Sequence, residues 1–412
     1  MAARKVYYRL TGIRAFLFQV IFTVNAIYFV TVADLNPLQL VLIGTIMEIS
    51  VLVFEIPTGV IADHFSRKWS IVIGTVILGC AHLLEGSIPL FVSIGAAYAI
   101  WGLGYTFFSG AEEAWIADEV QGKDLDKLFL TGSQMASIGK IIGIVASVAI
   151  SMLFSVQITI IVAACSFFIL ALWLAIKMPE KHFVKMERTH HSQIRQMASV
   201  IIGGFQKIKN NVVLLSMAGV SIMWGLASEG FDRLWEIHFL EDIQLSESSA
   251  IIWFGVINAI ALLLNIGLVK WIEVKASATG ELRFVWILLI INSALIVSIF
   301  LFAISGNLWL ALASYWISSS LRGLNAPLYS IWLNQRLESK GRATMLSMFG
   351  QLDAFGQIAG GPIVGWIALT ISVPAGLITT SLLGVPVLFL LWLAKRRMAG
   401  ETSSVPMKQI SE

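Results

Sequence analysis

Apolar residues run through this chain in blocks of about twenty, separated by short polar turns. Crossing ~30 Å of hydrocarbon at ~1.5 Å per residue takes about 20 residues of helix. The pattern predicts twelve helices, over residues 12–33, 38–60, 69–87, 90–114, 132–153, 156–176, 212–236, 248–269, 284–303, 307–331, 345–369 and 374–394. The blocks are too long and too continuous for the alternating strands of a barrel. Helices satisfy their own backbone in lipid and are the expected element. One long interval, roughly 177–211, joins the sixth helix to the seventh. Its stretch SQIRQMASVIIGGFQKIKN is basic and partly amphipathic, and reads as a helix lying on the membrane surface between two six-helix halves.

Composition narrows the class. The 412 residues are 57% hydrophobic and 13% charged, against about 25% charged in ordinary globular domains. With a mean hydropathy of +0.83, this is a polytopic membrane protein with no room for a sizeable soluble domain. The basic start, MAARKVYYRLTGIR, precedes an apolar run without a small-residue cleavage site, and so reads as the approach to a first membrane helix. Cys80 and Cys165 fall in apolar blocks and read as small buried hydrophobes, outside any disulfide or metal framework. His182, His190 and His191 lie in the long interval and read as solvated, since no further ligands stand at helical spacing. No G-x-x-x-x-G-K-[ST] stretch and no nucleophile–base constellation occurs, which speaks against ATP drive and gives no basis for an enzyme. The net charge of +3 carries no implication of nucleic acid.

Charge sets the orientation. With the N-terminus in the cytoplasm, all but three of the 28 Lys and Arg fall on the inner side, and the outer loops carry none. The exceptions, Lys140, Arg233 and Arg322, lie inside predicted helices. This is the positive-inside distribution. It places both termini in the cytoplasm of a cell-membrane protein. The expected organisation is an N-terminal bundle over 1–177, a linker over 178–211, a C-terminal bundle over 212–397 and a tail over 398–412. A constant offset aligns Trp115 with Trp332, Lys123 with Lys340, Gln134 with Gln351, and Gly139, Ile141, Gly143 and Ile150 with Gly356, Ile358, Gly360 and Ile367. These matches run from the link after the fourth helix into the fifth helix of each half, as parallel repeats should.

Between the second and third helices stands GVIADHFSRKWS, where Gly59, Asp63, Arg67 and Lys68 follow G-x-x-x-D-x-x-x-R-K. This resembles the signature loop of the major facilitator superfamily, and the resemblance extends over the whole chain in its length, its 6 + 6 halves and its long central linker. His64 and Ser66 depart from the fuller pattern, standing where a basic residue and a glycine are common. The resemblance implies an all-α membrane protein of twelve helices in two pseudo-symmetric bundles, and a latch on the cytoplasmic side in which Arg67 pairs with Asp118. GQIAGGPIVG, 356–365, resembles the glycine-rich bend of drug:proton antiporters, but stands in the eleventh helix rather than the fifth. Close packing of small residues is the other reading of that stretch.

Charge within the membrane marks candidate chemistry, because it costs at least ~2.5–3.5 kcal/mol at a helix centre. The third, sixth, ninth and twelfth helices carry none in their interiors, with Glu85 taken as lying at the edge of the third. In the superfamily those four are peripheral. Glu48 and Glu55 share one face of the second helix, with Glu48 near mid-span. A carboxyl withdrawn from water can load and release a proton, which makes Glu48 the first candidate for coupling. Glu112 or Glu113 matches Lys140 in depth, and Arg322 matches Asp353, giving two expected ion pairs. Asn25 and Trp224 complete the candidate cavity set. Glu229, Asp232, Arg233 and Glu236 crowd the outer end of the seventh helix and read as an outer gate, with Glu229–Arg233 and Arg233–Glu236 pairing along the helix and Asp232 left over. Trp101, Trp224, Trp253, Tyr105 and Phe107 could wall an apolar, cation-accepting pocket or pack in the core.

Two functional readings follow. The first is a secondary active transporter, exporting amphiphilic small molecules or drugs against inward proton flow by alternating access, and so conferring antibiotic resistance. The second is an importer or facilitator of a polar or anionic metabolite bound by Arg322 and Lys140. Either needs only a small-molecule substrate, the lipid bilayer and, in the first case, protons. A monomer without cofactor or metal is expected.

Overall fold

The computed structural model describes residues 2–184, 203–276, 281–337 and 342–403, and among them every regular element is helical. The long helices are α1 (Ala2–Phe22), α2 (Pro37–His64), α3 (Arg67–Ser87), α4 (Phe91–Phe108), α5 (Leu125–Leu153), α6 (Val156–Lys177), α7 (Val212–Ile237), α8 (Glu247–Ala276), α9 (Glu281–Ala303), α10 (Leu308–Arg336), α11 (Arg342–Thr370) and α12 (Val373–Leu383). After α4 a short helix runs from Ala111 to Glu119, and α12 continues beyond Gly384 as Val385–Ser403. Local chemistry sets the starts. Asn36 and Gln39 cap α2 reciprocally at 3.0 Å with Pro37 in its first turn, and Ser66, Asn307 and Ser372 cap α3, α10 and α12.

Among the described residues, eleven helical spans are long and apolar enough to cross a membrane. The 29-residue α10 is not among them, because Ser314, Ser318, Ser319, Ser320, Arg322 and Asn325 interrupt its apolar sequence. Of these, Arg322 and Asn325 line the cavity described below, and Ser314, Ser318 and Ser320 are buried. The outer surface is correspondingly greasy, with Val92, Leu153, Trp309, Ile371 and Ile169 all exposed. Cys80 and Cys165 lie on this surface too, which corrects their assignment as buried residues. In lipid the outside is as apolar as the core, so hydrophobicity alone does not report burial. Of the long interval, residues 203–210 are helical, whereas His190, His191 and the rest of 185–202 lie outside the described residues.

The described residues form two compact units, one bounded by Met1–Arg188 and Glu236–Leu262, the other by Thr189–Trp235 and Leu263–Glu412. In the first, α1 packs on α5 and α6, α3 on α4 and α6, and α2 on α4. In the second, α9 packs on α10 and both parts of α12, and α11 packs on α12.

Glycines fix the closest crossings. A Cβ on Gly139 of α5 would stand 2.2 Å from the Gly12 carbonyl oxygen of α1, and one on Gly356 of α11 would stand 2.3 Å from that of Ile222 in α7. Gly143 and Gly360 repeat the arrangement one turn along, against Phe16 and Leu226. The aligned glycines of the sequence repeat therefore sit at equivalent crossings. Gly356 and Gly360 of GQIAGGPIVG serve backbone contact.

The first helix departs from expectation at both ends. It begins at Ala2, so the basic N-terminal stretch is helical and Arg14 lies deep within α1. It then breaks at Thr23–Val24 and resumes as Asn25–Ile27 and a π-turn, Tyr28–Val32. A second π-turn, His238–Asp242, follows α7. The Ala33 and Ile243 amides donate to Tyr28 and His238, those of Leu35 and Leu245 donate to Phe29 and Phe239, and Asp34 and Gln244 both take positive φ. The two halves thus share a backbone irregularity in which Phe29 and Leu35 recur as Phe239 and Leu245 while the residues between them differ.

Candidate functional site

The α2–α3 turn is tied down by charge. Arg67 pairs with Asp118 and lies 3.3 Å from Asp63, one turn back. Glu180, just beyond α6, accepts from the Ser66 hydroxyl at 2.6 Å and from the Lys68 amide at 2.9 Å. The same segment is held from its other side. Trp115 donates its indole proton to the Pro179 carbonyl at 2.7 Å, and Glu119 accepts from the amides of Lys181 and His182 at 2.6 and 2.9 Å. Gly59 meets no atom within 4 Å of a Cβ, so sterics do not demand a glycine there. Glu180 and Glu119 carry no motif signature, and sequence reasoning passed over them.

In the first unit the expected pair of Lys140 with Glu112 or Glu113 is not formed. Glu112 is buried and pairs with Arg14 of α1, whose guanidinium carbon lies 4.5 Å from the Phe108 ring centroid. Glu113 is exposed, as is Lys140, and among the described residues no carboxylate forms an ion pair with Lys140. Equal depth could not tell α1 from α5 as the partner, because Arg14 read as part of a basic tail. In α2, Glu48 is half-buried and Glu55 exposed, next to Pro57. Asn25 is buried and donates to the Tyr98 hydroxyl at 3.1 Å. Glu85 stands two residues before the end of α3, as expected, yet it is 1% exposed and 2.6 Å from Nδ1 of His82, itself 0% exposed.

The second unit contains a cavity of about 490 Å³. Trp224, Tyr329, Phe349, Leu295, Ile299 and Leu346 give it apolar walls, and Asp232, Arg322, Asp353 and Gln357 give it charge and polarity. Arg322 grips Asp232 through both guanidinium nitrogens, the second at 2.7 Å, with Phe231 against the guanidinium at 5.1 Å. Asp353 is not the partner of Arg322 that depth-matching assigned. Its carboxylate accepts from the Gln357 amide at 2.7 Å, and among the described residues it forms no ion pair. Asp232 is correspondingly not a leftover outer charge. The helix continues beyond it through Ile237, so the residue stands inside α7 and faces the cavity. Glu229 is buried beside it, 3.4 Å from Arg233.

Hydrogen bonds behind the wall hold its rings in place. Trp224 donates to Asn292 at 2.8 Å, and Asn292 exchanges amide bonds with Asn325. The Tyr329 hydroxyl donates to the Met217 carbonyl at 2.8 Å and lies 2.9 Å from the Ser221 hydroxyl. Trp224 and Tyr329 meet edge to face at 4.9 Å. Such buried bonds lock rotamers that an apolar ligand would otherwise have to order. Asn292 and Asn325 escaped the sequence reading, although a lone Asn in the apolar run WILLIINSALIV was a visible signal. The result is a preformed pocket with one ion pair, Arg322–Asp232, and one carboxylate, Asp353, that forms no ion pair among the described residues.

Comparisons with known proteins agree with this architecture. The chain is 25% identical over 386 residues to the uncharacterized MFS-type transporter YxaM of Bacillus subtilis (strain 168), with 90% of each chain covered. Its fold matches the nucleoside transporter NupG with a TM-score of 0.74 at 17% identity, covering 97% of this chain and 99% of that one. It also matches a bacterial homolog of the human lysosomal transporter Spinster (TM-score 0.75, 13% identity, 97% and 98% covered) and the peptide transporter POT in complex with sulfate (TM-score 0.72, 13% identity, 97% and 94% covered). Residues 10–350 match the Major Facilitator Superfamily, and with most of its length so matched the chain belongs to that family of multi-pass membrane transporters.

Proposed function

We propose that this transporter is secondary active and exchanges a proton for an amphiphilic organic cation at Asp353, exporting the cation by alternating access. The observation that carries the reading is a carboxylate that forms no ion pair among the described residues, in a cavity walled by Trp224, Tyr329 and Phe349. A cation with an apolar body gains ring contact and charge pairing there at once. A proton neutralises the same carboxylate, so the two compete for one group. Glu48, half-buried in α2, is a second group proposed to lie on the proton's route. Both termini and the Arg67 turn are taken to face the cytoplasm of the cell membrane.

An anionic solute held by Arg322 is the weaker reading, since it would first have to displace the bidentate Asp232. Lys140 is absent from the lining of this cavity. Expression in an efflux-deficient bacterium should lower accumulation of ethidium or tetraphenylphosphonium, and a protonophore should abolish the effect. Asp353→Asn should abolish it as well. Unchanged accumulation of every lipophilic cation tried, together with new uptake of a polar solute, would overturn the proposal.

A further inference from the structure

A second ionisable cluster lies in the first unit, away from the Asp353 cavity and unused by the exchange just described. His82 and Glu85 stand one turn apart on α3, 2.6 Å from each other and essentially sealed from the surface. The rings of Phe18, Phe22, Trp101 and Phe167 surround the imidazole with centroid distances of 5.3 to 6.5 Å. Four buried polar atoms here hydrogen-bond to nothing among the described residues: Nε2 of His82, Oε1 of Glu85, Oδ1 of Asn25 and Nε1 of Trp101. An unsatisfied buried polar atom costs about 1–3 kcal/mol, so four in one cluster need a function or a guest. The break in α1 at Thr23–Val24 adjoins Asn25, where the chain is least committed to helical bonding. Helix interruptions beside polar side chains are where membrane transporters place ions.

We infer that the His82–Glu85 pair is a second proton-carrying site, an inference that rests on the proposed proton coupling. The pair is neutral when one proton lies on the line between Nδ1 and Oε2 and Nε2 keeps its own. Loading adds one proton from water to Oε1 of Glu85, giving a carboxylic acid beside an imidazolium. Unloading returns that proton to water. The loaded form carries a single positive charge, which the face of Phe167, stacked on the imidazole at 6.0 Å, favours. The titratable neighbours are few. The Tyr28 hydroxyl donates to the Glu85 backbone carbonyl at 2.6 Å, and Tyr98 stacks edge-on against Trp101. The residues supplied by α1 and α6, Phe18, Phe22 and Phe167, are uncharged, and Arg14 is spent on Glu112.

Hydrogen–deuterium exchange at imidazole C2, read by mass spectrometry, follows each of the six histidines separately in the unmodified full-length protein. In lipid nanodiscs, the His82 rate should change at least about tenfold in a single step as the pH is varied. Saturating tetraphenylphosphonium should move that step, because a cation and a proton that compete anywhere in the cycle are linked. A flat His82 profile overturns the inference. A step that does not move when the cation binds also overturns it, since the pair would then titrate without coupling. Glu85→Gln should displace or erase the step; if that variant does not fold, the wild-type profile decides alone. Failure of tetraphenylphosphonium to bind at all sinks the cation reading at Asp353 instead, and leaves the His82 profile as a direct measure of proton loading.

Discussion

Arg14 and Glu112 form an ion pair within the first unit, with side chains only 17% and 8% exposed and Phe108 against the guanidinium. Two charges so placed depend on each other, and removing one strands the other in a medium that solvates it poorly. Glu112→Ala should cost about 3–5 kcal/mol and sharply lower the apparent Tm of the purified protein. The double variant Arg14→Met with Glu112→Leu should recover most of that loss. Equal destabilisation by the single and double variants would show that the pair contributes something other than mutual neutralisation.

Glycine substitutions should separate contact from motif. Alanine at Gly139 or Gly356 forces a methyl to within 2.2 or 2.3 Å of a backbone oxygen on the neighbouring helix. Each should destabilise by about 1–3 kcal/mol, as overpacking does. Alanine at Gly59, with no atom inside 4 Å, should leave thermal stability within about 0.5 kcal/mol of the parent. Thermal unfolding of the three variants side by side checks the order.

The segment after α6 should behave as a pinned strap. Glu119 accepts both the Lys181 and His182 amides, so Glu119→Ala frees the peptide bond between them. Trypsin should then cut after Lys181 about tenfold faster, the equivalent of ~1.4 kcal/mol of lost local stability. Unchanged cleavage would mean that the Glu180 and Trp115 contacts hold the segment unaided.

Much of the architecture was legible because lipid imposes a simple rule: long apolar blocks separated by short polar turns can be little else but helices. Even α10, polar enough to fall short on hydropathy, was found from its length and position. The repeat was legible at Gly139 and Gly356, because a backbone crossing needs a particular residue. It went unread at the two π-turns, where only Phe29 and Leu35 recur, as Phe239 and Leu245, among otherwise different side chains. Charge partners were the least legible. Asp232 looked like a helix-end residue because it stands among Glu229, Arg233 and Glu236, with nothing in the sequence to show that Arg322 of α10 faces it, and Arg14 looked like a tail residue because α1 starts so early. Glu85 was placed at the end of its helix, but its burial was not foreseen. Hydropathy counts a glutamate against a membrane span, but takes no account of a histidine one turn back that can hold it inside.

The central claim is that one carboxylate, Asp353, serves proton and cation in turn. Its most direct test is proton release on binding. Purified protein in weak buffer, saturated with tetraphenylphosphonium, should release about one proton per cation bound near the midpoint of the carboxylate's titration, read with a pH-sensitive dye. Asp353→Asn should abolish the release and weaken binding at least about tenfold, or ~1.4 kcal/mol. Cation binding of undiminished strength in that variant, with the same proton release, would contradict the account.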